Sequence, residues 1–175
     1  MNENRANFEK WFKGPLNTLY KNIDAGFIIV IISLPILERY LRQKSRLYEK
    51  TKYSRDFYKE FMEIFPSVTS ITTARKFWRI YRHGLLHQAT LKKESSVMTV
   101  TAGVHDSASE ITYSYDSNGE QFVVSPKKFS ERVISTIESD FDTYEGKGSS
   151  SHTLPEVLQG TGISGYKKQK TPSRR

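Results

Sequence analysis

The 175-residue chain contains no cysteine. That excludes disulfides, cysteine-ligated zinc and thiol nucleophiles together, and it fits a reducing cytoplasm better than secretion. Long apolar runs are also missing. The strongest, AGFIIVIISLPIL over residues 25–37, ends after 13 residues, where a membrane-spanning helix needs roughly 20. Glu38, Arg39 and Tyr40 then continue a helical pattern instead of a cleavage site, so the run reads as a buried helix, with no membrane segment or targeting signal and a cytoplasmic location expected. There is no glycine-rich phosphate loop, no serine-centred nucleophile elbow and no pair of carboxylates at a fixed spacing, which disfavours the enzyme classes built on them.

What is present suits one folded unit with a polar end. Hydrophobic residues make up 37% of the chain and aromatics 13%, enough for a core without disulfides or metal. Of the formal net charge of +8, the six basic residues and one acid from Gly146 to Arg175 carry +5, leaving +3 for the remainder. Residues 1–145 are therefore expected to fold, and 146–175, rich in Gly, Ser, Lys and Pro, to form a basic disordered tail.

Periodicity divides the folded part. A first helix is expected over Asn4–Leu19, with Gly14-Pro15 weakening its middle. A second starts near Asp24 as N-cap and runs to about Leu47; being apolar on all sides in its first half, it should be the central element of the core. A third covers Ser54–Ile64 and stops before Pro66, and a fourth begins near Thr73 or Ala74. After Leu91 the pattern alternates, and Ser117-Asn118-Gly119 predicts a hairpin, so a small antiparallel β-insertion is expected at about 95–125. A last helix from Pro126 to about Tyr144, with Phe129, Val133, Ile134, Ile137 and Phe141 in one stripe, should return to the helical core.

The fourth helix contains RIYRHGLLHQ, residues 79–88. On an α-helical wheel Phe77, Ile80, Tyr81, Gly84, Leu85 and Leu91 share a core side, while Arg79, Arg82, His83, Leu86 and His87 fan across the other. A mid-helix glycine costs about 1 kcal/mol relative to alanine, and a plain solvated face would favour lysine or glutamate over two histidines. His83 and His87 have an i, i+4 spacing compatible with a metal. The glutamate of the zinc-protease pattern is missing between them, and only His105 and His152 remain as further histidines, so no metal or other cofactor is expected. Arginine and histidine together suit a phosphodiester instead: a guanidinium neutralises phosphate charge and an imidazole takes a proton from a ribose 2′-hydroxyl. Arg82 and His87 would stand about 7.5 Å apart along one helix and about 140° apart around it, too far to grip one phosphate. A two-fold dimer joined through the Arg79–His87 helix would bring the arginine of each copy to the histidine of the other.

Arg82, four intervening residues and His87, with polar His83 directly after the arginine, resembles the signature of the HEPN superfamily of nucleotide-binding domains, and the string YRHGLLHQA resembles bacterial proteins placed near that group. The resemblance implies a mainly α fold, a HEPN-like up-and-down helical bundle with the β-insertion before its last helix. It also implies dimerisation through the motif helices and, in many members, metal-independent endoribonuclease activity in toxin-antitoxin or phage defence. Carried onto this chain, Arg82 would stabilise the phosphate, His87 would be the acid-base residue, His83 would support them and Arg79 would contact nucleic acid. Glu38 either matches the polar residue that some members use to orient the arginine or is an ordinary surface or ion-paired glutamate. The partners implied are a second copy, RNA and an antitoxin or regulatory protein, without a membrane. The alternative is a non-catalytic helical dimer acting as an interaction or regulatory module; a partner- or membrane-surface role led by the tail is a third reading, but the tail lacks the apolar residues such a helix needs.

Overall fold

The computed structural model describes residues 3–47, 52–84, 101–104, 109–117 and 119–146. The N-terminal stretch is helical from α1 (Glu3–Phe8) through a π-wound turn (Glu9–Lys13) into α2 (Gly14–Leu19). The expected weak point at Gly14-Pro15 is thus a widening, not a break. Proline lacks the N–H of a regular turn and its ring crowds the carbonyl four residues back, and a wider turn relieves both. The Gly14 N–H reaches back to the Glu9 carbonyl, and a Cβ on Gly14 would stand 3.2 Å from that oxygen.

The long helix α3 (Gly26–Lys44) is preceded by a 3-10 turn over Ile23–Ala25. The turn is capped by Asn22, not Asp24: the Asn22 side chain accepts from the Asp24 N–H at 2.9 Å, so Asp24 sits inside the turn as a donor, and α3 itself follows Ala25 without a side-chain cap. The helix ends at Lys44, before the expected Leu47, where Arg46 adopts a left-handed φ of 54°. Ile29, Val30, Leu34, Leu37 and Leu41 are fully enclosed, and α3 is the central element expected of it. Ser33 provides a polar stitch within this apolar run: its hydroxyl lies 2.7 Å from the Ile29 carbonyl and 2.8 Å from Ser130 Oγ, to which the Tyr20 hydroxyl donates at 2.8 Å.

Helix α4 (Arg55–Ile64) is capped by Ser54, which accepts from the Phe57 N–H at 3.2 Å. Helix α5 (Ile71–Phe77) starts two residues earlier than expected, because Ser70 takes the Thr73 N–H at 3.0 Å. It runs directly into a second π-wound segment, Trp78–His83. Aromatic rings weld these elements: Phe61 lies 5.0 Å from Phe77 and 5.5 Å from Trp78, and Phe65 stacks on Phe129 at 5.1 Å.

Strands β1 (Thr101–Val104), β2 (Ile111–Asp116) and β3 (Gly119–Val124) form one sheet in the order β1-β3-β2. The β2–β3 pair is the expected hairpin, with Gly119 at φ 110°, a conformation glycine adopts without strain. β1 departs from the antiparallel expectation: it fills the open edge of β3 in parallel register, Thr101 opposite Gln121 and Val104 opposite Val124, so the sheet is mixed. Helix α6 (Pro126–Ser139) buries the predicted stripe against α3. The last helix is broken at Asp140 (φ -137°), whose carboxylate is held by Tyr40 at 3.0 Å and Lys44 at 2.9 Å, and α7 (Phe141–Glu145) follows. The chain is therefore mainly helical, with a small sheet before its last helices. Among the described residues no helix is long and apolar enough to cross a membrane. Residues 95–100 of the expected insertion and the basic tail from 147 onward lie outside the described residues.

Candidate functional site

The helix formed by α5 and its π-wound continuation presents different chemistry on its flanks. Phe77, Ile80, Tyr81 and Gly84 are buried, as the wheel predicts, and Trp78 joins them. Arg79 is exposed, while Arg82 occupies a half-buried shoulder. The winding differs from the α-helix assumed from sequence. Between Trp78 and His83 the turn is wide, a form that is rare outside short bulges and recurrent at functional sites. His83 closes this segment; His87, Leu85, Leu86 and Leu91 lie outside the described residues, as do His105 and His152.

Arg82 reaches across to α3. Its Nε donates to Glu38 Oε2 at 3.1 Å, while Arg42 Nε and the Tyr53 hydroxyl both donate to Glu38 Oε1 at 2.9 Å. Glu38 is only 8% exposed, so the acid that closes the apolar run is both ion-paired and the group that holds the motif arginine. Burial raises its pKa, but the hydrogen bonds from Arg82 and Arg42 outweigh burial and keep the carboxyl below its ordinary range. Burial and the Glu38 charge push the Tyr53 phenol well up, so it remains a donor. Burial opposes the Arg82 charge and Glu38 more than restores it. Among the described residues the cluster brings together one carboxylate and two guanidiniums, a surplus of one positive charge.

The surroundings are stiff. Arg42 lies 4.9 Å over the Tyr53 ring, which stacks on Phe57 at 4.3 Å and meets Trp78 at 5.7 Å. A fixed guanidinium is what a phosphate-binding site needs, since less freedom is lost when the anion arrives. Two of the participants, Arg42 and Tyr53, were not singled out from sequence. Glu38 and Arg42 are an i, i+4 pair on one helix, which is a legible signal; Tyr53 lies outside the helices and gave none.

The sheet meets the same helix along another flank. Lys76 pairs with the buried Glu120, to which Tyr113 also donates at 3.0 Å; Tyr81 donates to the Phe122 carbonyl at 3.2 Å. The described strands thus engage Lys76, Phe77 and Tyr81, away from the Arg82 to Glu38 contact. The chain matches no protein-family profile, no curated protein and no solved structure.

Proposed function

We propose that the chain is a HEPN-like, metal-independent endoribonuclease of the cytoplasm that acts as a homodimer, with Arg82 and His87 of opposite copies forming each site. The observation that carries this reading is the Glu38 cluster: a buried acid fixes Arg82 by its Nε, and the extra guanidinium of Arg42 leaves net positive charge for an incoming phosphate. His87 takes the 2′-hydroxyl proton, the 2′-oxygen bonds to phosphorus, and the bond to the 5′-oxygen breaks. The proton held on His87 is returned, directly or through water, to the leaving oxygen, and a cyclic phosphate and a 5′-hydroxyl end result. Arg82 neutralises the charge that builds on the phosphorane; His83 and Arg79 support the site and its RNA.

Beside the Arg79–His87 helix, through which the two copies would join, α3 offers the second copy a further surface. On α3, Phe27 and Ile28 are 46% and 51% exposed, half-buried Ile31 and Ile32 and exposed Pro35 continue that face, and it ends at Glu38 and Arg42. An apolar stripe running up to the cationic cluster suits an interface that brings two clusters together.

The test is cleavage of single-stranded RNA in EDTA by wild type, Arg82→Ala and His87→Ala. Wild type should cut, with losses of about 10²–10³ for the arginine and about 10²–10⁴ for the histidine. Ile28→Glu should give monomers in size-exclusion chromatography with light scattering, and lose activity. A second reading is favoured by the same contact seen differently: Arg82 compensates a buried carboxylate, which is a structural duty in itself. A dimer that never cuts RNA, but binds an antitoxin or regulatory protein, would support that non-catalytic module.

A further inference from the structure

From Ile71 to His83 the chain carries four cations, Arg75, Lys76, Arg79 and Arg82, and no acid. Lys76 turns aside to Glu120. The other three form a row beside two tyrosines: Arg75 and Arg79 stand by Tyr58, whose ring centre lies 6.0 Å from that of Tyr53, and Tyr53 shares Glu38 with Arg82. Arg75 and Arg79 are exposed.

The row is seated, not loose. The Arg75 guanidinium stands 5.4 Å from the centre of the Tyr58 ring, and the charges of Arg75 and Arg79 both act on the Tyr58 phenol. Tyr58 is buried, so its ring is a platform for the cation and not a surface for a base. At the other end, Arg42 lies over Tyr53 beside Arg82. The result is a continuous order of Arg75, Arg79, Arg82 and Arg42, with each terminal guanidinium laid on a tyrosine.

We propose that Arg75 and Arg79 extend the Arg82 site into a phosphate-binding track for single-stranded RNA, with the strand running from Arg82 along the outer face of the helix toward Arg75. A single row of cations follows one backbone, whereas a duplex presents its contacts across two grooves. The inference rests on the reading of Arg82 as a phosphate site, yet it can fail separately.

The experiment measures binding of an uncleavable 2′-O-methyl oligouridine as a function of salt. Each lost phosphate contact on a single strand lowers the log–log slope by about 0.7, so Arg75→Gln/Arg79→Gln should lower it by about 1.4. Arg75→Lys/Arg79→Lys keeps the charge and should keep the slope; Lys21→Gln/Lys127→Gln, beside the start of α3, should leave it unchanged. Circular dichroism checks that each variant is folded. An unchanged slope in the glutamine variant overturns the track, and the nuclease reading stands if wild type still cuts RNA and His87→Ala does not. Binding with the predicted slope change but no cutting upholds the track and removes the nuclease. Wild type that neither binds nor cuts overturns both.

Discussion

Two buried glutamates flank the same helix, and they differ by one charge. Glu120, 7% exposed, receives Lys76 from the helix and the Tyr113 hydroxyl from β2. Glu38, 8% exposed, receives Arg82 from the helix, the Tyr53 hydroxyl and, in addition, Arg42 from its own helix. Each acid thus gathers a cation and a phenol. At Glu120 the charges cancel, and the cluster fastens the sheet to the helix. At Glu38 the second guanidinium leaves the balance positive. On the proposed reading, the neutral cluster is an anchor and the positive one a receptor for anions.

The comparison can be broken in graded ways. The largest effect should come from Phe77→Ala, which removes the ring both flanks share: a loss of about 3–5 kcal/mol in urea unfolding, with both clusters disturbed. Next, Glu38→Gln and Glu120→Gln each weaken a buried charge-assisted contact, worth about 1–3 kcal/mol; the former should also impair RNA binding, and the latter should not. If both variants impair RNA binding equally, the distinction between anchor and receptor fails. Acid unfolding sharpens it further. The Glu38 carboxyl titrates below its unfolded value of about 4.3, so its stabilisation is present above that pH and is lost as pH falls through the lower, folded value. Wild type should therefore lose stability more steeply below pH of about 4 than Glu38→Gln does.

Arg42→Gln removes the surplus charge while Glu38 keeps Arg82 and Tyr53. The fold should persist, and the salt slope for single-stranded RNA should fall by about 0.7. The smallest effect is expected for Ser70→Ala, about 1 kcal/mol from a lost cap that starts the helix beneath both glutamates. It should leave RNA affinity unaltered once stability is allowed for.

Apolar spacing made the helices legible: α3 at the centre, α4 ending before Pro66, and the stripe of α6 all follow from it. Caps were harder. Asn22 won over Asp24, and Ser70 starts its helix before the expected Thr73 or Ala74, because their side chains stand where an N–H needs an acceptor, a matter of loop geometry that periodicity does not carry. The hairpin was legible in Asn-Gly chemistry, whereas β1 was misoriented because the parallel edge is decided by which side of β3 lies open. Within the candidate site, Arg82 stood out by its residue type. Its anchor on Glu38 was one of two open readings, and Tyr53 was invisible because it sits outside the helices, where periodicity places no residue.

The π-wound segment Trp78–His83 has a consequence for how this helix tolerates change. A wide turn stores surplus backbone: removing one residue between Trp78 and His83 can restore ordinary winding without stretching the ends. In a regular α-helix the same deletion would turn the following residues by about 100°, whereas here the wide turn absorbs it. The bulge is thus the slack of the helix, a place where one codon can be lost while the aromatic packing before it stays in place.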